Sequence, residues 1–401
     1  MNAPVVSPRR TAPRPGPREA KVNTGRPGPI QPRTTTHEEH GRPPQKEGGA
    51  LQLLKPSDPA WGSLFDRLPL EQQDIFYTPE YADLCARYLH RTAQVWCAVL
   101  ETASSLILYP FIQRHLRSLV KAAHAAGDYQ DLISLYGRGG AVRRGGSAED
   151  FAQFYSALTA YCTEQRIVCG FDRYHPVMRN HLLAPPQAQV REVGGFVVAD
   201  VQPPIEELEP RFKHAARKNI KKAERAGVDV VVETNLEHLE DFLSIYASTL
   251  QRNSARDFYY VDPDFYRELA TTLAGRYRFF YARLGRRIVS CELVLRQGLY
   301  CHSFLGGTLA DSLEACPNHL LKREIIRDAK ASGCRYYLLG GGQRPYDGIW
   351  NYKRGFAPSG SVPSLVGGTI FDESAYASLR QELLGAGVEI HAERFQFYDP
   401  T

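Results

Sequence analysis

The stretch LGGGQRPYDGIWNYKRGFAP, Leu339–Pro358, gathers residue types suited to acyl chemistry. Gly340, Gly341 and Gly342 follow an apolar run and permit close backbone approach or positive φ. Further on, Lys353 stands beside Tyr352, with Gly355 and Phe356 behind it. A lysine held among apolar side chains can stabilise an oxyanion developing on an acyl carbonyl, although a lone lysine is more often surface decoration. Lys353 is the first catalytic candidate. The second is His302, in LYCHSFLGG (Leu299–Gly307). Imidazole titrates near neutral pH and can act as a general base; a strand histidine satisfied by hydrogen bonds is the equal alternative. In FDRYHP, Asp172, Arg173 and His175 could line a pocket, while a structural Asp–Arg pair at a strand end is the stronger reading.

The segment RFKHAARKNIKKAERA is the densest basic one. Phe212, Ala216, Ile220 and Ala223 recur at helical spacing and form a stripe to bury. Arg211, His214, Lys218, Lys222 and Arg225 fall on the opposite face, flanked by Arg217 and Lys221. With no acidic i,i+4 partners inside the segment, this face suits an anion, the phosphates of a tRNA or of a nucleotide-linked substrate, as well as it suits plain solvation. The eight cysteines include no CxxC pair, so spacing gives a zinc site no support, and reduced thiols packed as small hydrophobes are expected. No metal is assigned.

These residues need elements to position them. A chain of 401 residues with 43% apolar and 11% aromatic side chains suggests about two soluble domains. No stretch approaches the roughly 18 apolar residues that cross a membrane, and no apolar run follows the basic N-terminus, so a cytoplasmic address is expected. Residues 1–50 hold ten of the 27 prolines, nine Lys/Arg and four Glu. That segment should be a disordered tail, and it carries the whole net charge of +5. A helix is expected within Asp74–Leu89, strands over Val95–Glu101 and Ser105–Arg114, a helix over Glu149–Gln165, and strands over Ile167–Tyr174 and Val193–Val201. The second half reads as a basic helix (Arg211–Ala226), a strand (Val228–Glu233) and helices (Leu236–Arg252, Pro263–Ala274). Strands (Tyr277–Leu284, Arg287–Gln297, Leu299–Gly307), a helix (His319–Gly333) and a strand (Cys334–Gly342) complete it. Helix, antiparallel strands, helix, strand, given twice, is an α+β pattern with a mixed sheet.

The glycine-rich strand end followed by aromatic-Lys-x-Gly-Phe resembles the closing motif of the Fem family. ARKNIKKAERAGV (Ala216–Val228), Tyr246–Leu269, LYCHSFLGG, DLISLYGRGGAV (Asp131–Val142) and VCGFDRYHPVMRNH (Val168–His181) are similar to other family motifs in the same order. The resemblance spans about residues 60–365. It implies two tandem GNAT-like domains, each a mainly antiparallel sheet flanked by helices. The first would be 51–202, completed by 366–401, and the second 203–365. It implies an aminoacyl-tRNA-dependent transferase that makes an amide on an amine, using aminoacyl-tRNA as co-substrate and no cofactor. On that carry-over Lys353 meets the reacting carbonyl or a nearby phosphate. Tyr300 and His302 face the cleft, and Tyr352, Arg217, Arg173 and Tyr136 bind substrate. Lys218, Lys222 and Arg225 take the tRNA phosphates. The chain lacks the family's long coiled-coil arm, lacks a match for the first domain's substrate-phosphate lysine, and has His302 where a tyrosine is usual. Those departures widen the acceptor from a peptidoglycan precursor to a small amine, such as an antibiotic intermediate.

Two rival readings remain. An acyl-CoA- or carrier-dependent N-acyltransferase on the same fold would hold pyrophosphate on a glycine-rich turn opening a helix. The equivalent stretch, Thr308–Ile325, has no glycine and carries Asp311 and Glu314. A non-catalytic RNA-binding protein would leave the Lys353 segment unexplained, and no stacking-aromatic RNA motif is present.

Overall fold

The computed structural model describes residues 49–120, 127–391 and 394–399; the expected disordered tail lies almost wholly outside them. The first half opens with β1 (Gln52–Leu54), α1 (Pro59–Phe65) and α2 (Pro79–Leu84), followed by β2 (Gln94–Glu101), β3 (Ser105–His115), β4 (Gln130–Ile133) and β5 (Val142–Gly145). Then come α3 (Ala148–Glu164), β6 (Ile167–Arg173) and β7 (Gln189–Asp200). Helix α3 starts where Ser147 and Asp150 cap each other reciprocally, and it buries Phe154, Leu158 and Cys162 at helical spacing.

The second half contains α4 (Ile205–Arg211), α5 (His214–Arg225), β8 (Val228–Glu233), α6 (Leu239–Arg252) and α7 (Pro263–Thr272). It continues with β9 (Tyr277–Leu284), β10 (Arg287–Gln297), β11 (Tyr300–Thr308), α8 (Pro317–Ala331), β12 (Tyr336–Gly340) and α9 (Gly348–Lys353). The chain ends with β13 (Ser361–Ile370) and α10 (Glu373–Gly385).

All strands among the described residues join one sheet in the order β1-β2-β3-β4-β6-β13-β7-β12-β11-β10-β9-β8, with β5 beside β3. Pairing is antiparallel except for β4 with β6 and β11 with β12. Each parallel pair is bridged by a crossover that contains a helix, α3 in the first half and α8 in the second, as parallel neighbours require. The α+β expectation therefore holds, with the same grammar in both halves. Strand β13 returns from the end of the chain to lie between β6 and β7, and α10 buries Leu379 and Leu383 against Val168 and Cys169 of β6. One face of the sheet is covered continuously by α1, α2, α6 and α7. On the other face α3 packs on the first half, and α5, α8 and α9 pack on the second.

The expected helix Arg211–Ala226 is two helices. Phe212 and Lys213 are extended, and the Lys213 N–H donates to Gly355 O. Arg211 therefore ends α4, where it pairs with Glu207 at 2.8 Å. Seven of the eight cysteines are buried, in line with packing.

The end of the chain is tied to β3 and β4 by a buried ionic cluster. Arg114 donates to both oxygens of Asp131 (2.9 and 2.6 Å) and to Asp399 Oδ2 (2.7 Å), while Gln396 and Tyr398 also donate to Asp131. Breaking such a cluster strands buried carboxylates. Arg114→Ala should destabilise the fold by about 3–5 kcal/mol, read as a lower urea midpoint.

Candidate functional site

Strands β11 and β12 pair in register only over Tyr300↔Tyr336, Cys301↔Tyr337 and His302↔Leu338. Beyond that point they part, and β11 keeps only β10 as a partner. Alternate backbone groups of Ser303 and its successors are then without a strand neighbour on the β12 side, which makes the notch polar. The notch opens into a cleft of about 1140 Å³ lined from both halves of the chain, with His302, Ser303, Gly340 and Gly341 on one wall and Tyr136, Arg138 and Arg173 on another.

His302 is fixed by Asp74. Its Nε2 lies 2.7 Å from Asp74 Oδ2, and His175 Nε2 lies 3.0 Å from the same oxygen. Asp74 Oδ1 accepts the N–H of Phe76. Burial pushes the Asp74 carboxyl upward, but the two imidazoles outweigh it and hold the group below the ordinary carboxylate range. An ionised carboxylate only accepts, so each imidazole donates its Nε2–H. His175 Nδ1 accepts from the N–H groups of Val177 and Met178 (3.2 and 3.1 Å). Its ring is thus neutral and saturated, and burial lowers its pKa further. His302 differs: no described group hydrogen-bonds its Nδ1, and the ring borders the cleft while resting edge-on to Phe76. A lone pair at Nδ1 backed by a buried carboxylate is a general base in waiting.

Asp74, His175 and His302 are also close enough to share a metal ion. The donor set argues against one. With its Nδ1 lone pair held by two backbone N–H groups, His175 would have to become an imidazolate to offer Nε2.

Lys353 ends α9 and reaches back to the glycine turn, where Nζ donates to Gly341 O at 2.7 Å. Gly340 has φ +93°, and a Cβ there would stand 2.9 Å from Nζ, so the turn admits the lysine only without a side chain. Asp347 builds this corner: it caps α9 through the Trp350 N–H and accepts the N–H groups of Gln343 and Arg344. Burial, with the nearby Lys322 ammonium second, lowers Lys353 to about 7. Gly340 lies two residues beyond Leu338, about 7 Å along the strand, so the glycine turn that Lys353 bonds lies next to the parting of β11 and β12.

The cleft's other wall is cationic. Arg138 lies over the Phe196 ring at 4.3 Å, and Arg173 over Phe171 at 5.6 Å. Neither has a carboxylate partner among the described residues. Burial and the Arg173 charge lower Arg138 to about 10. Two guanidiniums without an ion pair in one cleft, Arg138 offset only by the more distant Asp74 charge, suit an anionic group.

The structure thus brings His302, Tyr136 and Arg173 to the cleft and Lys353 to its glycine rim. It does not bring Tyr300, whose OH donates to Glu71 O while the ring packs on Tyr336 and His175. Tyr352 lies outside it too, bonded to Asn318 O and packed between His319 and Phe356. Both are held in place by core packing. Arg217, Lys218, Lys222 and Arg225 stay exposed on the outer face of α5. There Arg217 donates to Pro210 O and Lys222 nears Glu314 at 3.5 Å, so this face has more compensation than the sequence indicates. The expected Asp172–Arg173 pair does not form. Neighbours on a strand face opposite sides, and Asp172 instead accepts from Tyr109 OH and the Gly140 N–H. There burial raises its carboxyl to about 7. Sequence reasoning missed Asp74 and Arg138. Arg138 sits inside the motif DLISLYGRGGAV, whereas nothing local marks Asp74 as a partner of His302.

Residues 210–354 match the acetyltransferase (GNAT) domain family. No curated protein matches the sequence. Among solved structures the chain is similar to FemX, with a TM-score of 0.61 at 11% identity, covering 81% of this chain and 99% of that one. It is also similar to a conserved protein of unknown function from Bacteroides thetaiotaomicron (TM-score 0.51, 11% identity, 80% and 99% covered). A third is L-PGS from Bacillus licheniformis (TM-score 0.50, 11% identity, 85% and 99% covered). At such identities the likeness is one of fold: the chain has the Fem-type fold, with GNAT-like units in tandem.

Proposed function

We propose that the protein transfers an aminoacyl group from charged tRNA to an amine, forming an amide. The observation that carries this reading is His302, a cleft-lining residue whose Nδ1 has no hydrogen bond among the described residues and whose Nε2 is anchored on buried Asp74, set at the parting of β11 and β12. The Fem resemblance supplies the donor class. In the proposed step the amine nitrogen attacks the ester carbonyl and His302 Nδ1 takes its proton. Lys353 faces the negative charge on the carbonyl oxygen, and the C–O bond to the tRNA ribose breaks, the proton leaving with the ribose hydroxyl. An already activated ester needs no further cofactor. Arg138 and Arg173 would hold an anionic portion of a substrate. The acceptor class is a small amine of the antibiotic-intermediate type or a peptidoglycan precursor, and the address is the cytoplasm. We read residues 51–202 with 366–401 as one unit and 203–365 as the other. Among the described residues no helix is long and apolar enough to cross a membrane.

A second reading keeps the fold and changes the donor to acyl-CoA. It is favoured by the acetyltransferase family match and by the start of α8, where Cys316 supplies no side-chain cap. The objection from Asp311 and Glu314 also weakens, because they pair with Arg287 and Lys222. One assay separates the two. Full-length protein is mixed with tRNA charged with labelled amino acids and with candidate amines. RNase-sensitive amide formation supports the first reading; acylation from acetyl-CoA that ignores RNase overturns it.

In this reading tRNA docks on the outer face of α5 through exposed Lys218, Lys222 and Arg225; because Lys222 nears Glu314, the exposed flanking Lys221 stands in for it in the test. The triple change Lys218→Glu, Lys221→Glu, Arg225→Glu should raise KM for charged tRNA about tenfold or more at moderate salt, with kcat nearly unchanged. The salt dependence of binding should also become shallower. An unaltered KM would remove α5 from the tRNA surface.

A further inference from the structure

Beside the notch lies a second buried polar cluster that the proposed step does not use. Lys322 of α8 donates to Glu292 of β10 (2.7 Å to Oε1), to Ser303 Oγ (2.8 Å) and to the Tyr337 hydroxyl (2.9 Å), and Tyr337 donates to Glu292 Oε1 at 2.6 Å. Lys322, Glu292 and Tyr337 are buried, whereas Ser303 borders the cleft.

The proton count in this cluster has one outcome. An ammonium has three N–H bonds and no acceptor, and here they are shared among both oxygens of Glu292 (2.7 and 2.6 Å), Ser303 and Tyr337. The phenol proton of Tyr337 goes to Glu292. Ser303 Oγ must therefore accept from Lys322, and its own O–H is the one proton in the cluster free to turn. It can rest on the neighbouring Tyr337 oxygen, already loaded by Lys322, or swing to an acceptor in the cleft. An oxygen gathering negative charge is the stronger acceptor. Ser303 is also the first residue of β11 past the last paired position, His302↔Leu338, so it stands where the strands open.

We infer that Ser303 is a hydrogen-bond donor to the carbonyl oxygen of the acyl group, with Lys322 and Glu292 as the positioning pair that fixes the direction of its proton. The inference rests on the acyl-transfer reading above. The same arrangement argues against Ser303 as a nucleophile: its oxygen faces an ammonium, and Glu292, the carboxylate of the cluster, is taken up by Lys322 and Tyr337 and makes no hydrogen bond to Ser303. Acyl transfer then proceeds directly from donor to amine, with no acyl-serine.

The test uses the full chain with a stable 3′-aminoacyl-adenosine amide carrying a 13C carbonyl, read by infrared difference spectroscopy, beside turnover with charged tRNA. In the wild type the bound carbonyl stretch should move to lower frequency. Ser303→Ala should lose that shift and about 100-fold in kcat, with KM and the urea midpoint nearly unchanged, while Ser303→Thr should keep both. A bound amide with the same stretch in wild type and Ser303→Ala overturns the inference and leaves the acyl-transfer reading standing, as does label from the donor attached to Ser303. Failure of the wild type to bind the amide overturns both.

Discussion

Replacing His302 with alanine should lower kcat by about 10²–10⁴-fold, the usual worth of a positioned general base. The fold should survive, because the ring borders the cleft and its removal leaves Asp74 still bonded to His175 and the Phe76 N–H. Asp74→Asn is the sharper variant. It keeps size and shape, but an amide can present its NH2 to His302 Nε2, which would then accept and leave the proton on Nδ1. The base would point the wrong atom at the cleft. A loss comparable to His302→Ala, with far-UV circular dichroism intact, is expected. If both variants turn over normally, the imidazole serves only packing, and proton removal falls to the substrates.

Lys353→Ala should cost about 10²-fold in kcat, the scale of one oxyanion donor. Its pH signature separates a charge effect from a packing effect. Lys353 is lowered to about 7 by burial first and by Lys322 second. The wild-type rate should therefore fall as pH rises through about 7 and the ammonium is lost, while the residual rate of Lys353→Ala shows no such limb. For stability the sign runs the other way. Between about pH 7 and the ordinary lysine value, the unfolded chain holds a proton on this side chain that the folded chain lacks, so stability rises with pH across that window. Lys353→Met should flatten the rise in urea midpoints. A wild-type rate that keeps climbing above pH 7 would remove the ammonium from the mechanism.

Much of this architecture is written locally. The stripe Phe212, Ala216, Ile220, Ala223 predicts which side of the basic segment is buried, and the structure buries it. The strands β9, β10 and β11 and the helix expected over Glu149–Gln165 follow from local pattern alone. Other pieces escape local reading: β4 and β5 have four residues each and carry too few alternating positions to signal a strand, and β13 holds Pro363 and the Gly367–Gly368 pair, which read as breakers. Helix α9, which ends on Lys353, lasts six residues and starts only because Asp347 caps it.

For the site, the sequence by itself determined the chemistry within reach: a lysine behind a glycine turn, a strand histidine, arginines near a strand end, and a basic helix face. Tertiary structure decided which of these meet. Asp74 and His302 are 228 positions apart, and they touch because β11 and the turn before α2 come together beneath one face of the sheet. No periodicity encodes a contact of that separation. Arg173 was separated from Asp172 by strand alternation, and Tyr300 and Tyr352 were claimed by the core because a ring gains more from burial than from lining water. Lys353 stands at the glycine turn that borders the cleft, and the fold adds what no local pattern shows: buried Lys322 near it, His302 among the lining residues, and guanidiniums on the far wall.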